Sequence, residues 1–153
     1  MLPRLLLSLA TAGCNAVATA SAQNVVTNIT GGPAVFPAPA AADYNAGFVN
    51  DGTPLTYTLT LSAGAASTVT VAIHSSSANL GGGKVLSDLQ WRRGDLVAWN
   101  AMTTANVTVQ SIQITAGTPY ANTIYFRMLL NWTTDAPATY TANLVVAISV
   151  TTP

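Results

Sequence analysis

Apolar and polar residues alternate along much of the chain, with the two-residue period of a half-buried β-strand. One apolar row comprises Ile124, Phe126, Met128, Leu130 and Trp132, which places Trp132 on the buried side. After a turn that contains Asp135 and Pro137, a second row comprises Tyr140, Ala142, Leu144, Val146, Ile148 and Val150. We expect these two segments to pair as long antiparallel strands joined by a short loop.

Shorter alternating segments predict further strands at residues 25–29, 57–61 and 69–73. Residues 107–114 change parity midway, which predicts a bulge at Gln110 and Ser111. Another strand is expected within residues 44–49, and no segment has a convincing helical period. About seven to nine short strands in one domain predict an all-β fold, specifically a two-sheet antiparallel sandwich of the immunoglobulin-like type.

The first 22 residues have the parts of a signal peptide. Arg4 supplies a positive charge, an apolar run extends from Leu5 to about Val17, and Ala20-Ser21-Ala22 precedes Gln23. We therefore expect residues 1–22 to be removed and residues 23–153 to form a single secreted, cell-surface or periplasmic domain. An alternative is a lipid anchor on Cys14, because residues 11–14 resemble a lipobox. The apolar run is too short to span a bilayer, so no membrane span is expected.

Charged side chains make up only 7% of the chain, and glutamate is absent. Without Arg4, four basic residues face five aspartates, which gives no basic surface for nucleic acid. Cys14 is the only cysteine and His74 the only histidine, which argues against a disulfide, a thiolate nucleophile or a metal centre. No serine lies in a nucleophile-elbow motif. We expect a protein that is not an enzyme and has no cofactor.

Residues 88–99 read Asp-Leu-Gln-Trp-Arg-Arg-Gly-Asp-Leu-Val-Ala-Trp. If residues 89–92 and 96–99 are strands, Gly94 supplies the positive φ of a tight hairpin, and the two tryptophans lie nearly opposite each other. The candidate contacts for a ligand or partner are Trp91, Arg92, Arg93, Asp95 and Trp99.

The sequence is compatible with two roles for Trp91 and Trp99. They can form a cross-strand pair that packs within the protein. They can also form a platform for sugar rings, together with Tyr120, Tyr125 and Trp132. Elsewhere, the glycines before Lys84 indicate a flexible hairpin loop, and the aspartates are interpreted mostly as turn residues.

Five segments share features with a known group of proteins: the leader ending in Ala-x-Ala-Gln, ADYNAGFV (residues 42–49), SDLQW (87–91), IYFRMLLNW (124–132) and DAPATYTANLVVAISV (135–150). In these segments the chain resembles secreted bacterial β-sandwiches, namely fimbrial-subunit and spore-coat-U-like proteins. The segment from Asp135 to Tyr140 is also similar to bacterial immunoglobulin-like modules, in which a tyrosine hydroxyl caps the loop that leads into its own strand. The resemblance implies a structural or adhesive surface role, with strand exchange between subunits in some members.

We expect a structural or interaction protein whose partners are other protein subunits, including copies of itself. An exposed sheet edge has unpaired N–H and C=O groups that another chain can satisfy. The candidate donor strand is the segment with Val25, Thr27 and Ile29, because it follows the predicted cleavage site. The alternative function is carbohydrate binding through exposed aromatic residues.

Overall fold

The computed structural model describes residues 5–11, 14–20, 25–50, 53–81 and 83–151, with only the backbone for the first two ranges. The predicted cleavage site after Ala22 lies outside the described residues. The protein is all-β, with 54% of residues in strands and 7% in helices. The strands are β1 (Leu5–Thr11), β2 (Cys14–Ala20), β3 (Val25–Thr30), β4 (Ala34–Phe36), β5 (Phe48–Asn50), β6 (Leu55–Leu61), β7 (Ser67–Ser75), β8 (Leu89–Arg93), β9 (Asn100–Ala101), β10 (Val107–Ile114), β11 (Tyr120–Leu129), β12 (Tyr140–Ala142) and β13 (Leu144–Thr151). One helix, α1 (Ala41–Ala46), and one 3₁₀ turn (Leu86–Asp88) complete the described elements.

The strands form three sheets. Sheet A has the order β1-β2-β13-β7-β10, sheet B has the order β3-β6-β11-β8-β9, and sheet C pairs β12 with β4. In sheet B, β5 also pairs with β11 beyond the end of β6. Every pairing among the strands from β3 onward is antiparallel, whereas β2 runs parallel to β13.

One hydrophobic cluster takes side chains from all three sheets, and the alternation in the sequence decides which ones. Along β6 every second residue is buried, so Leu55, Tyr57, Leu59 and Leu61 face the core while threonines face outward. The same pattern in β7 and β13 buries Val69, Val71, Ile73, Leu144, Val146 and Ile148. Burying a side chain of this size contributes about 1.5–3 kcal/mol, so these inner rows are the main source of stability.

The predicted strand positions at residues 25–29, 57–61, 69–73 and 107–114 are confirmed, but the predicted strand count is wrong. Eleven strands follow residue 24, because two- or three-residue strands supplement the seven longer ones. The predicted hairpin between the last two apolar rows is also wrong. β11 lies in sheet B, whereas β13 lies in sheet A, so both inner rows face the core from different sheets.

The expectation of a strand from Tyr44 to Val49 is only partly correct, because α1 ends at Ala46 and β5 covers residues 48–50. The Asp43 carboxylate accepts a 2.8 Å hydrogen bond from the backbone N–H of Ala40 and so caps the first turn. Gly47 ends the helix in the left-handed conformation, with φ of 77°. In the sequence, Asp43 in the first turn and Gly47 just after the last helical residue are signals for the start and the end of this helix.

The predicted bulge in β10 is present, and it lies between Thr108 and Gln110. Because Val109 is the extra residue, both Val109 and Gln110 are turned toward the protein interior. The Gln110 Oε1 atom accepts 2.8 Å hydrogen bonds from the hydroxyls of Tyr57 and Tyr120, which belong to sheet B. Burial raises the pKa of the Tyr57 phenol, which therefore remains a hydrogen-bond donor. The bulge thus creates a polar link between the two larger sheets.

We predict that Gln110→Leu lowers the free energy of unfolding by about 1–3 kcal/mol, because it leaves the fully buried Tyr57 without its acceptor. Urea denaturation measures the effect. The control is Gln113→Leu, an exposed position on the same strand, which should change stability little. Equal destabilisation by the two variants would show that the link between the sheets contributes nothing specific.

Candidate functional site

The segment 88–99 divides into a strand and a loop, and this separates its two tryptophans. β8 ends at Arg93, and Trp91 pairs with Asn100 of β9. Trp91 is 3% exposed and belongs to the core, whereas Trp99 lies half-buried on the outer face of sheet B. The predicted cross-strand tryptophan pair is therefore wrong. The indole N–H of Trp91 has no hydrogen-bond partner among the described residues, and nothing in the structure explains this.

The Arg-Gly-Asp tripeptide forms a turn, in which the Leu96 N–H donates to the Arg93 carbonyl at 3.0 Å. Arg93 donates from Nε to the Asp95 carboxylate and from Nη1 to the Val109 carbonyl. The Arg93 guanidinium and the Asn122 amide hold the pKa of Asp95 below its usual range. The charged groups of this tripeptide thus bond to each other and to residues of β10 and β11.

Gly94 does not have the positive φ that the hairpin prediction required. Its role is close approach, because a Cβ atom there would lie 3.3 Å from the Thr123 carbonyl oxygen and 3.4 Å from Tyr125 Cε2. The Gly94 N–H donates to that same carbonyl at 2.7 Å. Glycine therefore lets the chain stay against β11 as it leaves the sheet.

Arginine and aromatic side chains meet on the outer face of sheet B. We call Phe48, Gln90, Arg92, Trp99, Tyr125 and Arg127 the arginine–aromatic cluster. The Arg92 Cζ atom lies 4.7 Å from the ring centre of Tyr125 and 5.2 Å from that of Trp99. The Arg127 Cζ atom lies 4.4 Å from the ring centre of Trp99 and 5.2 Å from that of Phe48. These distances are typical of cation–π contacts.

Hydrogen bonds fix both guanidinium groups in place. Arg92 donates from Nη1 to the Leu96 carbonyl at 2.9 Å, and Arg127 donates from Nε to Gln90 Oε1 at 2.8 Å. Strand pairing sets these positions, because Tyr125 lies opposite Arg92 and Arg127 lies opposite Gln90. Within the part of the chain that the structure describes, neither arginine forms an ion pair.

The other aromatic residues of the predicted sugar platform do not join this face. Trp132 was expected in the core, but β11 ends at Leu129, and Trp132 lies in the following loop with 58% of its surface exposed. It stacks on Tyr44 with ring centres 4.7 Å apart. Tyr120 is half-buried and donates to Gln110. Only Trp99 and Tyr125 of the five expected residues lie together.

A second group of charges lies in the protein interior, where a flexible loop was expected. The Lys84 side chain is 4% exposed, and its Nζ atom lies 2.8 Å from Asp88 Oδ2 and 2.6 Å from Asp135 Oδ2. Asp135 also accepts a hydrogen bond from the Asn131 N–H at 2.7 Å. The Lys84 ion-pair cluster therefore joins two loops that are 51 residues apart in the sequence.

Tyrosines fix the same region. The Tyr44 hydroxyl donates to the Asp135 carbonyl, and the Tyr140 hydroxyl donates to the Ala136 carbonyl four residues earlier. Through the second bond, Tyr140 caps the loop that leads into its own strand.

Burial and ion pairing shift the pKa values of Asp135 and Lys84 in opposite directions. Burial alone would raise the pKa of Asp135, but its bonds from Lys84 and the Asn131 N–H outweigh burial and hold the pKa below 3.8. Burial alone would lower the pKa of Lys84, but the two carboxylates raise it above 10.5. Both groups therefore remain charged across the neutral range.

The edges of the sheets form a third candidate site. β13 pairs with β7 along its whole length, and on its other side β2 pairs with residues 144–149. The predicted donor strand is β3, which pairs with β6 of the same chain. Val25, Thr27 and Ile29 are half-buried, and Val25 and Ile29 pack against the core.

No group of three or more metal-binding side chains occurs among the described residues. None of the helices in the described part of the chain is long and apolar enough to cross a membrane. No protein-family model, curated protein or solved structure matches this chain.

Sequence reasoning identified Arg92 and Trp99 but missed Phe48, Gln90 and Arg127 as their neighbours. Alternation within residues 124–132 already put Tyr125 and Arg127 on one face. What the sequence lacked was the strand order, which places β8 and β5 beside β11.

We predict that Asp135→Asn lowers the free energy of unfolding at pH 7 by about 3 kcal/mol, because it removes one partner of a buried lysine. Because the folded-state pKa of Asp135 is lowered, its contribution is present at neutral pH and is lost as the pH falls below about 4. The stability of the natural protein should therefore decrease in acid more steeply than that of the variant. On the alkaline side, the contribution of Lys84 is lost only as the pH rises above about 10.5.

Denaturation curves at pH 2–8 provide the measurement. The control is Asp95→Asn, which breaks an exposed ion pair and should change stability little. Parallel pH profiles for the natural protein and Asp135→Asn would contradict the assigned role of Asp135.

Proposed function

We propose that the protein is an exported, non-enzymatic structural or interaction subunit of the cell surface or periplasm, which assembles by strand pairing at the edge of β13. The observation that carries this proposal is that residues 14–19, which are inside the predicted signal peptide, pair with that edge. Removal of residues 1–22 would take away the strand that pairs with residues 144–149 on that side. Unpaired N–H and C=O groups of an edge strand favour pairing with another chain.

β13 has none of the features with which proteins usually protect an edge strand. It is eight residues long, with the sequence LVVAISVT, and contains neither a charged residue nor a proline. The opposite edge of sheet A, β10, is interrupted by its bulge, and β9 at one edge of sheet B is only two residues long. β13 is therefore a better candidate for an assembly edge than β10 or β9.

The partner in this proposal is a second copy of the chain. Antiparallel pairing of two β13 strands about a twofold axis would join two copies of sheet A into one continuous sheet. This arrangement requires no part of either chain to unfold. Strand donation by Val25, Thr27 and Ile29 remains a prediction, and it would require β3 to leave six register pairs with β6.

We also propose that sheets A and B form an immunoglobulin-like sandwich. The shared core, the Tyr57–Gln110 link and the tyrosine cap at Tyr140 support this interpretation. The resemblance to fimbrial-subunit and spore-coat-U-like proteins is consistent with it, because it implies a surface role for a β-sandwich.

Carbohydrate binding is the second candidate function. The observation that favours it is the arginine–aromatic cluster, which brings aromatic rings and hydrogen-bond donors together on an outer sheet face. Assembly through β13 and binding through this face use different sheets and can be tested separately.

For assembly, we predict that the chain consisting of residues 23–153 forms a dimer and that Ala147→Lys weakens the dimer at least ~10-fold. Ala147 lies on the outer face of β13, and a lysine there places like charges near the twofold axis of the paired edges. Light scattering over a concentration series measures the dissociation constant.

The control is Gln113→Lys, which puts the same charge on the exposed face of β10 at the opposite edge of sheet A. It should leave the dimer intact. A monomer at every concentration, or equal weakening by both variants, would rule out assembly through β13.

A further inference from the structure

We propose that the arginine–aromatic cluster binds a polysaccharide that carries carboxylate groups, such as a polymer of uronic acids. This inference rests on the glycan-binding alternative and specifies its ligand class. Its main support is that Arg92 and Arg127 contact the same indole ring, Trp99, and that neither forms an ion pair among the described residues.

The positions of the two arginines are energetically unfavourable when no anion is bound to this face. Like charges near one ring repel each other, and half-burial removes part of their hydration. Burial also lowers the pKa of Arg127, and no anion of the described residues offsets this effect. Asp51 lies outside the described residues, so the experiment below includes a variant that removes its charge. An anion bound between the two guanidinium groups would offset both the charge repulsion and the lost hydration.

The guanidinium groups are already oriented for such an anion. Each has five N–H donors, and one donor of each is used by the Leu96 carbonyl or by Gln90. Stacking on a ring uses the face of a guanidinium and leaves its edge available, and the edge is where a carboxylate binds with two parallel hydrogen bonds. Little side-chain entropy is lost on binding, because the side chains are already fixed.

The contacts favour an acidic glycan over a neutral one. The aromatic rings of the cluster already hold the guanidinium groups, so recognition depends on charge and not on sugar stacking alone. On the same face of sheet B, the outward threonines Thr58 and Thr60 offer hydroxyls to sugar hydroxyls, whereas the Thr56 hydroxyl is hydrogen-bonded to that of Thr123. An extended peptide would instead add to a sheet edge, as in the β13 proposal.

The test is the binding of leaderless protein to polygalacturonate, measured by titration calorimetry at low salt. Dextran is the neutral glycan probe, and polyglutamate is the acidic peptide probe. We expect binding to polygalacturonate that weakens as salt is added, with no comparable binding to either other polymer.

Arg127→Gln should weaken the binding of polygalacturonate by at least ~10-fold, since it removes charge-assisted hydrogen bonds. Arg127→Lys, which keeps the charge but not the planar fork, should give an intermediate loss. The matched control is Gln113→Glu on sheet A, which changes the net charge by the same amount and should bind like the natural protein. Asp51→Asn should bind at least as well, because it removes a negative charge that follows β5 by one residue. Thermal melting confirms that each variant is folded.

Binding to dextran but not to polygalacturonate would overturn the acidic ligand while preserving glycan binding. Binding to neither polymer would overturn both. Equal binding to polyglutamate would assign the cluster to acidic chains in general and would also overturn the proposal. Equal affinity of Arg127→Gln and the natural protein would show that the cluster is not the binding site.

Discussion

The hydrogen-bonding requirement of the β13 backbone is the constraint on which the proposed function depends. Each residue of an internal strand bonds to neighbours on both sides, and β7 satisfies only one side of β13. In the structure, residues 14–19 pair with residues 144–149 on the other side. Because the same residues form part of a predicted signal peptide, we propose that cleavage of the leader and pairing of this edge are linked. In this proposal, a second chain takes the place of β2 beside β13.

The chain has few charged residues, and the described basic residues contribute to different parts of the structure. Lys84 is buried between Asp88 and Asp135 and joins two loops, and Arg93 stabilises the turn after β8 through Asp95. Arg92 and Arg127 are the remaining basic residues of the described chain, and they meet on one face of sheet B. A protein with few charges thus has two of them close together without an ionic partner among the described residues. This is why the outer face, and not the interior, is the proposed binding site.

The alternation of apolar and polar residues was enough to predict the all-β fold and most long strands. It predicted which side of β6, β7 and β13 is buried, and the change of parity predicted the bulge near Gln110. It could not predict strand order, because a row of apolar residues does not reveal which sheet covers it. For that reason β11 and β13 were wrongly paired, and Trp91 and Trp99 were placed together although they face opposite sides. The sequence predicted a flexible loop at Lys84 and did not reveal that this lysine is buried and ion-paired, because its partner Asp135 is 51 residues away and sequence spacing does not show long-range ion pairs.

The most direct test of the central claim is amide hydrogen exchange in residues 144–149 of the leaderless protein at increasing protein concentration. Alternate amides of an edge strand face away from its neighbour, so in a dilute monomer they should exchange quickly while the amides bonded to β7 stay protected. We expect these fast amides to become protected as concentration rises, while the exchange of β10 at the opposite edge does not change. Rates for residues 144–149 that are independent of concentration would contradict the account.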